Sequence, residues 1–101
     1  MDNKDINVNI SGKTFNSRAS ILIFNSLNNK FLVQKRIGDS FWALPGGKVQ
    51  IMEKTKDTIK REIKEEIGLD LIDIKMLSVS ENFFTLKNED IHQYIFTYSG
   101  K

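Results

Sequence analysis

Arg61, Glu62, Glu65 and Glu66 fall within one short run, Arg-Glu-Ile-Lys-Glu-Glu-Ile-Gly-Leu, at residues 61–69. Glu53 precedes them, behind a Pro45-Gly46-Gly47 turn. If the run is helical, Glu62 and Glu66 stand at i,i+4, where like charges cost a helix about 0.2–0.5 kcal/mol. Glu65 and Glu66 also fall in the last turn, where the macrodipole disfavours negative charge. A helix selected for stability alone rarely carries both faults. A hard, oxygen-preferring divalent ion such as Mg²⁺ or Mn²⁺ would relieve the repulsion. A bound ion of this kind lowers the pKa of a coordinated water. The competing reading is a solvated acidic face, with Lys56, Lys60 and Lys64 on the same segment.

These side chains need a scaffold, and the pattern predicts one. Ile59, Ile63 and Ile67 recur every four residues and define the core face of an amphipathic helix. Thr55 is placed to cap its start, and Gly68 to supply a left-handed stop. On this wheel Glu62 and Glu66 lie beside the isoleucine stripe, at the border between core and solvent. Before the helix, Ile6, Val8 and Ile10 alternate with polar residues as in a half-buried strand, and Ser11-Gly12 turns the chain. Residues 19–24 form an apolar run that reads as a central, doubly covered strand. Residues 25–29 read as a turn, residues 31–33 begin a returning strand, and 41–44 are a short strand entering the Pro-Gly-Gly turn. After the helix, 71–80, 82–86 and 91–98 read as strands, with residues 87–90 turning between the last two. Strands packed on one helix make an α/β domain.

The whole segment from Gly47 to Leu69 resembles the signature of the Nudix hydrolases, G-x5-E-x7-R-E-U-x-E-E-x-G-U, where U is bulky and aliphatic. Gly47, Glu53, Arg61, Glu62, Ile63, Glu65, Glu66, Gly68 and Leu69 fill every specified position without an insertion. A complete match of this length is far more specific than a lone glycine-rich triplet. The resemblance implies a Nudix-like α/β/α sandwich with a mixed sheet. Residues 1–101 would be a single such domain, short of the helix that usually follows the last strand. It also implies that Glu62, Glu65, Glu66 and the Gly46 carbonyl hold Mg²⁺ or Mn²⁺. Glu62 would double as the base, with Arg61 orienting Glu62 or Glu53 through a forked hydrogen bond that lysine cannot make. Glu53, Gly47 and Gly68 would support the loop and helix. Gln50-Ile51-Met52 stands where many members carry an acidic residue, proline and glycine, which predicts a changed loop shape.

The implied reaction is metal-dependent pyrophosphohydrolysis: water attacks a phosphorus of a nucleoside diphosphate derivative. The alternative is a catalytically weak or inactive nucleotide-binding module of the same fold. Arg36 and Lys48 are the candidates for substrate phosphate. Phe41 and Trp42 could stack on a base, although core packing is the commoner use. Glu81 could add a metal ligand, and His92 reads as a structural residue or pocket wall.

Bulk properties agree with a small enzyme domain. Of the 101 residues 40% are hydrophobic and 28% charged, which fits a folded chain and not a disordered one. A net charge of +2 argues against a nucleic-acid polymer or a membrane surface as main partner. With no cysteine and one histidine, disulfides and ordinary zinc sites are excluded. No signal peptide or long apolar run is visible, which makes the cytoplasm the default compartment. Without the usual second helix, one sheet face would expose an apolar patch. Either a second copy covers it as a two-fold homodimer, or this is the ordered part of a longer protein.

Overall fold

The computed structural model describes residues 3–25, 27, 30–33 and 43–101. Among these residues six strands and one helix follow in the order β1 (Asn7–Ile10), β2 (Lys13–Asn25), β3 (Lys30–Leu32), β4 (Gly46–Lys48), α1 (Thr55–Ile67), β5 (Lys75–Leu86) and β6 (Glu89–Gly100). All six strands join one sheet. Its spine runs β1-β2-β6-β5, and β3 and β4 also pair with β2. The β2–β6 pairing is parallel, from Thr14↔Ile91 to Ile23↔Gly100, and every other pairing is antiparallel. The sheet is therefore mixed, as expected.

Two hairpins have two-residue turns. Ser11-Gly12 joins β1 to β2, and Lys87-Asn88 joins β5 to β6, all four residues with positive φ. Positive φ at both central positions matches the right-handed twist of the flanking strands. The second turn is tighter than the four residues the sequence suggested. Nor is there a break at Glu81, because β5 runs unbroken from Lys75 and its one irregularity falls between Met76 and Ser78. Residues 71–74, expected to open a strand, precede it.

Alternation along β2 and β6 sorts the two sheet faces. Ala19, Ile21, Ile23 and Tyr98 turn toward α1 and bury with Val49, Ile59 and Ile63 as the core. Ile59 and Ile63 have no exposed surface, but Ile67 is exposed, so the stripe ends a turn early. The buried neighbour of Ile59 is Thr58. On the opposite face, buried Gln93 donates through Nε2 to Asn16 Oδ1 at 2.7 Å. A buried amide pair of this kind satisfies groups that would otherwise be costly in the interior.

That face also carries Arg18, Ser20 and Thr97, so it is more polar than the sequence suggested. Large exposed apolar side chains gather instead along β5, at Met76, Leu77, Val79, Phe83, Phe84 and Leu86. Among the described residues no helix is long and apolar enough to cross a membrane.

Candidate active site

The site is assembled where β4 passes under the middle of α1. Gly46 and Gly47 pair with Ser20 and Ala19 of β2, and the carbonyl of buried Pro45 accepts from Ile21 N–H at 3.0 Å. A Cβ on Gly46 would lie 2.1 Å from the Ala19 carbonyl oxygen, and φ there is +155°. A Cβ on Gly47 would lie 2.3 Å from the Glu62 carboxyl carbon. Both glycines are thus required by close approach: one lets β4 reach β2, the other lets a carboxylate rest on the backbone.

Arg61 organises the carboxylates. Its Nε donates to Glu53 Oε2 at 2.8 Å, and its Nη2 to Glu53 Oε1 at 3.0 Å. This is the planar two-pronged geometry that a guanidinium gives and an ammonium does not. Nη1 donates to Glu62 Oε1 at 2.7 Å and lies 3.8 Å from Glu65 Oε2. Nη2 also donates to the Lys48 carbonyl at 3.2 Å. One side chain therefore ties the loop glutamate, the strand β4 backbone and the helix glutamate together.

Glu53 accepts two further bonds on Oε1, from Thr58 Oγ1 at 2.7 Å and from the Gln50 N–H at 3.1 Å. The bond from Arg61, aided by those from Thr58 and Gln50, outweighs burial and holds its carboxyl down at about 2. The same bond pushes Arg61 further above its ordinary value. These contacts fix the 50–53 loop, whose Met52 takes φ 65°. The loop is held without the proline and glycine common at those positions.

The helix ends differ from each other. Gly68 adopts φ 78° and donates its N–H to the carbonyls of Ile63 and Lys64, as a left-handed stop should. At the start, Thr55 is the first helical residue and not the cap. Lys54 holds the cap position without a side-chain bond, and the Thr55 hydroxyl pairs with that of Tyr98 instead. Helix and β6 are thereby linked at the expense of a conventional cap.

The carboxylates are not gathered into one cluster. Glu62 is mostly buried against Gly47, while Glu65 is 61% exposed. Among the described residues no three His, Cys, Asp or Glu side chains converge closely enough to hold an ion. The donor set still suits a hard cation. It offers carboxylate oxygens at three positions of one helix, beside a glycine backbone on which the Glu62 carboxylate rests. Lys48 lies in β4, half-buried, next to this backbone. Glu81 is exposed on β5, opposite Tyr94. Arg36, Phe41 and Trp42 lie outside the described residues.

Three contacts at the site had no signal in the sequence: the Thr58 hydroxyl on Glu53, the Lys48 carbonyl on Arg61, and the Thr55–Tyr98 pair. Each depends on tertiary placement, and only the buried position of Thr58 beside Ile59 could have hinted at one of them.

Known proteins resemble this chain in sequence and in fold. The family model for the NUDIX domain matches residues 14–101. An RNA pyrophosphohydrolase of Pseudoalteromonas atlantica is 33% identical over 78 residues, covering 77% of this chain and 44% of the relative. An 8-oxo-dGTP diphosphatase of Proteus vulgaris is 32% identical over 69 residues, 65% of this chain and 62% of that one. An m7GpppN-mRNA hydrolase of Saccharomyces cerevisiae is 36% identical over 89 residues, 87% of this chain but 9% of its own length. The chain thus spans less than two thirds of each of these relatives. Among solved structures, a MutT protein from Bacillus halodurans superposes with a TM-score of 0.72 at 18% identity, over 85% of this chain and 56% of that one. A MutT NUDIX hydrolase from Burkholderia pseudomallei gives 0.67 at 26% identity, over 86% and 70%. With the signature complete, its side chains joined through Arg61 and the family model spanning the sheet and helix, this chain belongs to the Nudix family.

Proposed function

We propose that this domain hydrolyses the diphosphate linkage of a nucleoside diphosphate derivative, using Mg²⁺ or Mn²⁺. The observation that carries the reading is the Glu62 carboxylate, pressed against Gly47 and held by Arg61, which Glu53 fixes in turn. A base or ligand positioned this way needs no reorganisation when substrate arrives. Glu62, Glu65, Glu66 and the Gly46 carbonyl would hold the ion. Once bound, it would supply charge neutralisation and an acidified water. Glu62 takes the proton of the attacking water, while Arg61 keeps its carboxylate aimed. Lys48, beside the glycine backbone, and Arg36 contact the phosphates.

The relatives' names span a small nucleotide, 8-oxo-dGTP, and RNA substrates. We favour the small-molecule class, because a net charge of +2 offers little to a polyanionic chain. The deciding experiment is a panel with Mg²⁺ and a phosphate readout. It includes nucleoside triphosphates, ADP-ribose, nucleotide sugars, dinucleotides and a triphosphorylated RNA oligonucleotide. Turnover of RNA alone would overturn the small-molecule assignment, and turnover of nothing would overturn the enzyme.

One observation favours the second reading, a nucleotide-binding module of weak activity: among the described residues no three carboxylates converge closely enough to hold an ion. Binding without turnover in the same panel identifies that case. The exposed apolar side chains of β5 support a further expectation, association of two copies along that strand. Light scattering across a concentration series tests it, and a monomer at all concentrations rejects it.

A further inference from the structure

Residues 4–6 run alongside the loop that carries Glu53, and three backbone hydrogen bonds hold them there. Ile6 N–H donates to the Val49 carbonyl at 2.8 Å, and Ile51 N–H donates to the Lys4 carbonyl at 2.8 Å. The Ile6 carbonyl accepts from Ser17 N–H at 3.3 Å. Asp5 and Gln50 form an antiparallel bridge between these bonds, and the Ile6 side chain packs against the core. Lys4, Asp5 and Ile6 all precede residues 14–101, the span that the NUDIX model matches.

The strap ends on a turn that its own residues hold poorly. Gln50-Ile51-Met52-Glu53 closes with Glu53 N–H on the Gln50 carbonyl at 3.1 Å, and Met52, in the third place, takes φ 65°. A turn with positive φ at that place alone favours glycine there and proline just before it. Met52 is instead a side chain 96% exposed, with no packing to offset an unfavourable backbone. Ile51 supplies an N–H to Lys4, which a proline would lack. Glu53 closes the same turn and holds Arg61, which in turn holds Glu62.

We propose that residues 4–6 are a positioning element of the active site. This strap fixes the 50–53 turn where proline and glycine are missing, and so sets Glu53, Arg61 and the aim of Glu62. Its effect on turnover rests on the hydrolase reading, whereas its effect on the turn and on Arg61 does not.

The test uses the full chain and three variants. Ile6→Pro removes the donor to Val49, and Ile6→Val keeps that donor while trimming the side chain. The third variant adds Ile51→Pro and Met52→Gly to Ile6→Pro, giving the turn a rigidity of its own. In ¹⁵N spectra without metal, Ile6→Pro should speed solvent exchange of the Ile51 amide and of the Arg61 Nε–H. Ile6→Val should leave both slow, and the third variant should restore slow exchange at Arg61. On the substrate found by the panel, Ile6→Pro should lower kcat about tenfold to hundredfold with KM little changed, as a small misplacement does. The third variant should recover that loss, which a general loss of stability would not allow. The proposal is overturned if folded Ile6→Pro keeps both groups slow, if Ile6→Val loses as much, or if the altered turn restores nothing. Where Ile6→Pro does not fold, the wild type decides: a protected Ile51 amide supports the strap, and exchange at the rate of an unstructured chain overturns it. The expected exchange pattern in a protein that turns over nothing supports the strap and rejects the hydrolase reading alone.

Discussion

The two ends of the sheet are built on different terms. Around β4 and α1, glycine backbone, a partly buried arginine and two carboxylates are tied by hydrogen bonds of 2.7–3.2 Å, and neither Gly46 nor Gly47 can take a Cβ without a collision. Along β5 every residue but Asn82 is exposed, and pairing comes from β6 alone. Both regions are regular secondary structure, yet only the first is over-determined by its side chains. A site that must aim a carboxylate belongs in the first region.

Substitutions should separate the two regions sharply. The largest effect is expected for Glu62→Gln, which keeps the shape but removes the proton acceptor and weakens ligation. Turnover on the substrate found by the panel should fall about 10²–10⁴-fold with the fold intact. Wild-type rates would show that the tight region is structural only. Gly47→Ala should come next, because its methyl would occupy the place of the Glu62 carboxylate. It should lower activity and metal-dependent thermal stabilisation together, and retention of both would mean that Glu62 works from another position.

Arg61→Ala acts on stability as well as on rate. It leaves Glu53 mostly buried with its strongest partner gone, a loss of roughly 1–3 kcal/mol, measurable by urea unfolding. Arg61→Lys should recover only part of it, since one ammonium cannot reproduce the fork. A smaller effect is a pH dependence traceable to one residue. The folded state holds the Glu53 carboxyl at about 2, below its ordinary value of 4.5. Its contribution is therefore complete above about pH 4.5 and is lost as the pH falls toward 2. Glu53→Gln should flatten the stability curve in that window and nowhere else. An unchanged acid limb would mean that other carboxylates carry it. The smallest effect belongs to the open strand: Val79→Thr on β5 should change stability by no more than about 0.5 kcal/mol and leave turnover untouched. A larger loss would show that β5 is covered in solution.

What could be read from the sequence follows the same division. The helix, its Gly68 stop and the signature side chains were legible because periodicity and fixed spacing are local properties of the chain. The start of α1 was not, because Thr55 is drawn to Tyr98, a partner 43 residues away. The first half of β2 was hidden for a related reason. Asn16 and Ser17 are polar and precede the apolar run at 19–24, yet they are buried, Asn16 by pairing with Gln93. The continuity of β5 was obscured by Glu81 and Asn82, which interrupt its apolar pattern but not its pairing with Tyr94 and Gln93. Ile67 continues the isoleucine spacing but is exposed, and periodicity cannot report where burial stops. Nothing local announces that β2 and β6 run parallel.

That parallel pairing bears on how the chain acquires its fold. Asn16 and Gln93, joined at the centre of the sheet, are 77 residues apart. Closing so long a loop carries an entropic cost that must be met before the contact returns anything, and long-range pairings of this sort slow folding. During synthesis the β1–β2 hairpin, α1 and the β2–β4 ladder are all available before β6. Until β6 arrives, Ile21 and Ile23 lack Tyr98 and Phe96, and the Thr55 hydroxyl lacks its partner. Joining of the two sides of this sheet is thus a late event in which β6 slots between β2 and β5. Amides in the β2–β6 ladder should accordingly exchange with solvent only through global unfolding.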